Sequence, residues 1–272
     1  MTAAGVLDVL AGDRSRPRCE QVSVVVNREL SDRYRLLRFR SAAISERARA
    51  GQFVMLGPLG RSAPVLPRPM AIYTRDADAG VVDIVYGVVG YGTRALAEMT
   101  EGDLLAVTGP LGRGFVIEEG VERVLLVGRG VGICAMTTVA QDLAPTSVQV
   151  TAVLSGRNRE SVLGQDVLRD CGADVLNVTD ANGSSAVDAV RERLVRRFDD
   201  DPPQQILTSG SERLTRLAAD LGARWNARTL VSVEAHMACG LGYCHGCAVG
   251  NGDGATEAPL VCRDGPVFGL RV

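Results

Sequence analysis

The sequence contains no lysine; all 30 of its basic residues are arginine. That absence excludes a lysine-based phosphate loop, a Schiff-base lysine and a lysine general base. Histidine is scarce as well: only His236 and His245 occur, close together near the end of the chain. A serine–histidine pair elsewhere would have to borrow one of them. No apolar run approaches the roughly 18 residues of a membrane span, so no membrane partner is expected. Residues Met1 to Pro17 lack a basic start followed by an apolar core, so no secretory signal is expected and the cytoplasm is the expected location. A large excess of either charge is missing too. Thirty basic residues face 32 acidic ones, a net charge of -2, which leaves no general basic field for nucleic acid.

The chain is otherwise that of an ordinary folded protein, with 272 residues, 46% hydrophobic and 23% charged. The length suits two domains and a small third module. Seven cysteines stand out. An odd number without a secretory signal favours metal or redox chemistry over disulfides.

Residues 1–18 show little periodicity and are expected to form a mobile tail. Over residues 19–118, short apolar runs lie between glycines and prolines. Val22–Val26, Tyr34–Phe39, Gln52–Leu56, Ala71–Thr74, Val81–Tyr86 and Asp103–Val107 read as strands of an antiparallel barrel, with one short helix at Thr93–Met99. Over residues 119–234, strands alternate with helices. Arg123–Val127, Val148–Leu154, Asp174–Val178, Gln205–Thr208 and Thr229–Glu234 read as strands. Helices are expected from the Gly-rich turn to Leu143, over Ser161–Asp170, after Ser185 and over Glu212–Leu221. Ser185 with Asp188 resembles a capping box. Val187, Val190, Leu194 and Phe198 then share one helical face. This alternation predicts a doubly wound α/β sheet, which binds ligands beyond the carboxyl ends of its strands. Residues 235–272 are rich in glycine and cysteine and fit neither pattern.

Cys239, Cys244, Cys247 and Cys262 form C-x4-C-x2-C-x14-C. That order is the one used by plant-type 2Fe–2S centres. Gly240, Gly242 and Gly246 let the backbone turn tightly and aim amides at the sulfurs. Four thiolates also suit structural zinc, although only one C-x2-C pair is present. His245 lies inside the motif, either as a ligand or facing solvent. Cys19, Cys134 and Cys171 fall outside it.

Gly128, Gly130 and Gly132 form G-x-G-x-G between a strand and a helix. Such a turn either rests a pyrophosphate on helix N-terminal amides or simply needs positive φ. Arg68-Pro69-Met70-Ala71 places one arginine on a barrel strand, where it would meet a phosphate or remain an ordinary exposed residue. Gly87-Val-Val-Gly-Tyr-Gly92-Thr93 opens the short helix and suits either a phosphate or a plain loop. Two phosphate-type sites, one per domain, would imply two nucleotides. Arg157 and Arg159 follow the second α/β strand; they either pair with a 2′-phosphate or are simply exposed.

On these motifs the chain resembles the ferredoxin–NADP reductase superfamily, and within it the electron-transfer-subunit family of dihydroorotate dehydrogenase B. Arg68-Pro69-Met70-Ala71 is similar to that family's R-P-x-S flavin motif. Val85-Tyr86-Gly87 and Gly92-Thr93 match its further FAD segments. Gly109-Pro-Leu-Gly-Arg-Gly-Phe115 resembles the segment closing its barrel, Gly128–Gly132 its pyridine-nucleotide turn, and Cys262-Arg-Asp-Gly-Pro-Val-Phe268 its ending. The chain departs from the family at Ala71 in place of Ser, Arg129 in place of Gly, Cys134-Ala135 in place of Ala-Pro, and Ser209 in place of Cys.

The resemblance implies an oxidoreductase subunit of pyrimidine biosynthesis with FAD, a 2Fe–2S cluster and NAD(P) as co-substrate. It implies a partner as well, an FMN-containing catalytic dehydrogenase subunit in a hetero-oligomer. The cofactors would carry the chemistry, so no side chain is assigned a catalytic role. The alternatives are a similar subunit serving another oxidoreductase, a ferredoxin–NADP oxidoreductase, or a zinc-stabilised nucleotide-binding regulator.

Overall fold

A computed structural model describes residues 6–10, 16–60, 64–250 and 257–271. The chain opens on a short strand, β1 (Val6–Val9), which belongs to the second of two sheets. The first sheet holds β2 (Arg18–Glu29), β3 (Tyr34–Arg40), β4 (Phe53–Pro58), β5 (Arg68–Ala71), β6 (Thr74–Asp76), β7 (Val81–Gly87) and β8 (Leu104–Leu111). Its spatial order is β5-β4-β8-β2-β3-β7-β6, antiparallel throughout. The sheet curls into a partly closed barrel, so that β5 also touches β7. Leu37, Phe39, Val54, Ile84 and Leu105 fill it and are fully buried. Each such side chain contributes about 1.5–3 kcal/mol relative to an exposed one.

Two short helices, α1 (Ala42–Arg47) and α2 (Tyr91–Ala97), interrupt the barrel strands. The sequence gives no periodic signal for α1, which is less than two turns long. It is set by Ser41, whose Oγ accepts from the Ile44 N–H (3.2 Å), and by the burial of Ile44. The expected strand Ala71–Thr74 is divided in two. The Ile72 N–H donates to the Gln52 carbonyl and the Tyr73 N–H to the Asp83 carbonyl, so the chain changes partner at this corner.

The second half alternates β9 (Arg123–Arg129), α3 (Cys134–Leu143), β10 (Gln149–Gly156), α4 (Gln165–Asp170), β11 (Asp174–Thr179), α5 (Val187–Phe198), β12 (Gln205–Ser209), α6 (Glu212–Trp225) and β13 (Arg228–Ser232), and closes on β14 (Val267–Arg271). The sheet order is β1-β14-β13-β12-β9-β10-β11. Strands β9 to β13 are parallel, and β14 and β1 add antiparallel at one edge. β9 and β12 are buried runs, as a sheet covered on both faces requires. Val139, Ala140 and Leu143 of α3 pack in one cluster, while Val190, Leu194 and Phe198 of α5 join Leu217 of α6 in another.

Three expectations are corrected here. Residues 6–9 of the expected tail form β1, because they find hydrogen-bonding partners on β14; residues 1–5 and 11–15 lie outside the described residues. Helix α4 starts only at Gln165, because Gly164 takes φ +79° and a single 3-10 turn, Arg159–Ser161, precedes it. Ser185 does not cap α5: its hydroxyl donates to Asp180, and α5 has no side-chain cap.

One apolar core joins the halves, bringing Tyr73, Val85 and Phe115 against Ile133 and Met136. No helix among the described residues is long and apolar enough to cross a membrane.

Candidate functional site

The C-terminal segment leaves β13 through an irregular stretch over residues 233–250, and residues 257–266 lead into β14. Its neck is closed by the Val233 N–H donating to the Pro266 carbonyl (2.9 Å). Inside the loop, Gly240 and Gly242 take φ +69° and +90°, and His245 takes +57°. The His245 side chain is exposed. The loop is fastened to the barrel as well: the Arg113 N–H donates to the Gly265 carbonyl, and Arg113 bridges to Pro266.

The four cysteines gather as two pairs. Cys247 and Cys262 bring their sulfurs to 3.2 Å, and the Cys262 N–H donates to the Cys247 Sγ (3.5 Å). Cys239 pairs with Cys244. Burial pushes the Cys239 thiol up, but hydrogen bonds from the amides of Leu241, Cys244 and Tyr243 and from the Cys244 side chain outweigh it, holding the pKa at about 6. Burial, with the Cys247 and Cys239 sulfurs adding to it, pushes Cys262 up to about 12.

Two pairs of thiols suit two irons, each taking two thiolates. A single tetrahedral ion needs its donors round one point. The donor set therefore fits a 2Fe–2S cluster better than zinc.

A cavity of about 480 Å³ lies between the barrel and the α/β sheet. Pro69, Met70 and Ala71 of β5 form one wall, and Val85, Tyr86 and Gly87 of β7 another. Its far side holds Val131 from the glycine turn and Ser232, Glu234 and Met237 from the start of the cluster segment. Glu234 is open to the cavity yet ringed by protein atoms, and burial raises its carboxyl pKa. The sequence offered one cue to Glu234, an acid at a strand end just before the cysteines.

At the cavity edge the Arg68 guanidinium lies directly over Gly92; any side chain at Gly92 would collide with it. Arg68 Nη1 donates to the Leu66 carbonyl (3.0 Å), and among the described residues Arg68 has no carboxylate partner. A cation beside a helix start, next to a largely apolar cavity, fits a dinucleotide flavin. Thr93 is held within its own loop. Its hydroxyl accepts from the Val89 and Gly90 amides (2.9 and 3.0 Å) and donates to the Gly90 carbonyl. It shapes the loop instead of offering a free hydroxyl.

The glycine turn follows β9. Gly128 packs on Ile133 and Met136, Gly130 takes φ +54°, and Gly132 lies so close to Gly210 that a Cβ would come within 2.5 Å of its Cα. Gly210 belongs to the turn after β12. The two turns meet where the strand order reverses, with β10 on one side of β9 and β12 on the other. That reversal is where open α/β sheets bind nucleotides. Ser209 is buried there, its hydroxyl donating to the Ser232 carbonyl (3.3 Å). Arg129 reaches across the sheet edge to Ser155 Oγ (2.8 Å) and pairs with Asp180 (2.6 Å). Sequence reading did not connect Arg129 to Asp180, because the two are brought together only by the sheet.

Residues 234–271 match the model of the iron–sulfur cluster binding domain of dihydroorotate dehydrogenase B. The electron transfer subunit of dihydroorotate dehydrogenase B (NAD(+)) from Streptococcus thermophilus is 33% identical, with 92% of this chain and 96% of that protein covered. The subunit of the same name from Listeria monocytogenes serotype 4b is 30% identical, covering 91% of this chain and 96% of that one. A solved structure of an NADH-dependent reduced ferredoxin–NADP oxidoreductase superposes with a TM-score of 0.76 at 27% identity, over 91% of this chain and 87% of its own.

Proposed function

This chain belongs to the family of dihydroorotate dehydrogenase B electron-transfer subunits, and from that premise we propose how its own residues serve the transfer. The protein is an oxidoreductase subunit that passes electrons between a catalytic dehydrogenase partner and NAD, using FAD and a 2Fe–2S cluster. When bound, FAD exchanges a hydride with the nicotinamide and the cluster relays single electrons.

The residues divide the work by region. Residues 19–118 form the flavin domain, residues 119–234 the nucleotide domain and residues 235–272 the cluster module. Arg68 holds the flavin phosphates beside Gly92, while Pro69, Met70, Ala71, Val85, Tyr86 and Gly87 wall the flavin and keep water from it. Thr93 fixes the loop that covers this end. Gly128, Gly130 and Gly132 bring backbone amides close to a pyrophosphate, which side chains there would block. Cys239, Cys244, Cys247 and Cys262 ligate the irons. No acid or base is needed, because the side chains bind, orient and exclude water. The partner is an FMN-containing dehydrogenase subunit, and the location is the cytoplasm.

One observation carries this reading. The segment holding the four thiols also supplies Glu234 and Met237 to the wall of the cavity that the flavin residues line. That shared wall would hold a cluster on the four thiols next to a flavin in the cavity. The test is anaerobic purification from the native host. Flavin absorption, about two irons per chain, NADH-dependent dye reduction and a co-purifying dehydrogenase are expected. A preparation with neither flavin nor iron would refute the reading. A different oxidoreductase co-purifying would instead favour a reductase serving another partner, which the likeness to the ferredoxin–NADP oxidoreductase structure keeps open.

A further inference from the structure

A second cavity, of about 890 Å³, lies between the outer face of barrel strands β2, β3, β6 and β7 and the helices α3 and α4. Among the described residues it shares no wall with the flavin cavity. Alternation along β3 puts Leu37 and Phe39 inside the barrel, so Leu36, Arg38 and Arg40 face this second space. Arg38 is committed: it donates to both oxygens of Asp83 (2.7 and 2.8 Å), and the Thr74 hydroxyl donates to Asp83 as well (2.8 Å). Arg40 donates to the Ala79 carbonyl (3.1 Å). Arg28, opposite Leu36 on β2, is exposed, and among the described residues it has no carboxylate partner.

Tyr73 lines the same cavity and is only 8% exposed. Its carbonyl accepts from the Thr137 hydroxyl, but among the described residues its own hydroxyl has no hydrogen-bond partner. A phenol buried to that degree ordinarily has one. Two opposite charges on the cavity wall stand near enough to act on it electrostatically, Asp166 of α4 and Arg28. These two do not pair with one another. Asp166 receives only a long contact from Gln165 (3.5 Å). Asp170 repeats its charge one helical turn on, and among the described residues it too lacks a cation. Like charges at that spacing repel. Leu36, Val81 and Val167 supply an apolar surface between the two charged walls.

We propose that this cavity binds a zwitterion of the α-amino-acid class with an apolar side chain. Its carboxylate meets Arg28, its ammonium meets Asp166, and the Tyr73 hydroxyl bonds to the same head group. Its side chain lies along Leu36, Val81 and Val167. A simple anion would face Asp166 and Asp170 unmatched, and a simple cation would face Arg28. A ligand carrying both charges a few ångströms apart satisfies both walls with charge-assisted hydrogen bonds. The space is ample, since small-molecule sites occupy roughly 300–1,000 Å³. The proposal concerns neither flavin, nucleotide nor cluster, and stands or falls apart from the function given above.

The test is calorimetric titration of the purified full chain with three probes: L-leucine, 4-methylpentanoate, which lacks the ammonium, and 3-methylbutylamine, which lacks the carboxylate. Leucine is expected to bind at least about tenfold tighter than either, equivalent to about 1.4 kcal/mol. In Arg28→Ala leucine should lose its advantage over the amine. In Asp166→Asn it should lose its advantage over the acid. Tyr73→Phe should weaken leucine about tenfold, with flavin content unchanged in all three variants. Absence of leucine binding, equal binding of either analogue, or a leucine preference that survives both Arg28→Ala and Asp166→Asn overturns the proposal.

Discussion

Gly240 rests its Cα against the side chain of Met55, so closely that a Cβ would come within 2.5 Å of Met55 Cγ. This contact fixes the first turn of the cysteine loop on barrel strand β4. Gly240 also takes φ +69°, a conformation that costs other residues roughly 1–2 kcal/mol. Gly240→Val is therefore expected to displace Cys239 and lower iron per chain by more than half while flavin is retained. Iron and flavin assays on one preparation decide it. Full iron content would show that the contact does not hold the cluster loop.

Arg68 and Gly92 make the corresponding contact at the flavin end. Hydrogen bonds to charged groups contribute about 1.5–3 kcal/mol each. Arg68→Ala should weaken flavin retention about tenfold or more, with the fold intact by circular dichroism. Gly92→Ala should do likewise by pushing the guanidinium aside. Unchanged flavin release in both variants would remove Arg68 from the phosphate site.

Hydrogen bonds from Arg129, then from Ser185, hold the Asp180 carboxyl down at about 2. A depressed acid pKa adds stability that is fully present above the unfolded value near 3.9 and is lost as pH falls through about 2. The pair is largely open to solvent, so the gain at neutral pH is about 0–1 kcal/mol. In Arg129→Gln the Asp180 titration should move up toward 3.9. Carboxyl-resolved NMR over the acid range reads this directly, and an unmoved midpoint would contradict the pairing.

Burial leaves the Cys134 thiol well above the usual range, whereas Cys19 is exposed. Since the thiolate is the reactive form, iodoacetamide at pH 8 should label Cys19 and spare Cys134 in the native protein. Peptide mass spectrometry shows which is modified. Rapid labelling of Cys134 would mean that the start of α3 opens readily.

Local features of the sequence revealed the parts that depend on local chemistry. The cysteine spacing, the Arg68-Pro69 strand and the glycines after β9 mark positions where ligand or backbone geometry restricts the residue type. Pairings made by distant segments were not readable. β1 and β14 meet from opposite ends of the chain, and neither carries a signal for the other. Arg129 and Asp180 lie 51 residues apart and are joined through the sheet. Ser185 looked like a helix cap because that chemistry is local, but Asp180 competes for its hydroxyl. α1 was missed for a simpler reason, since a six-residue helix is too short to show a period.

The bond from Val233 to Pro266 draws the neck of the cysteine loop shut, and Arg113 ties the same neck to the barrel. The Leu241 amide already points at the Cys239 sulfur and the Cys262 amide at the Cys247 sulfur. With a cluster bound there, donors placed in advance would have little to rearrange as its charge changes, which would keep the barrier low in both directions. On that account a neck held shut favours a relay that runs forward or backward according to which side is more reducing.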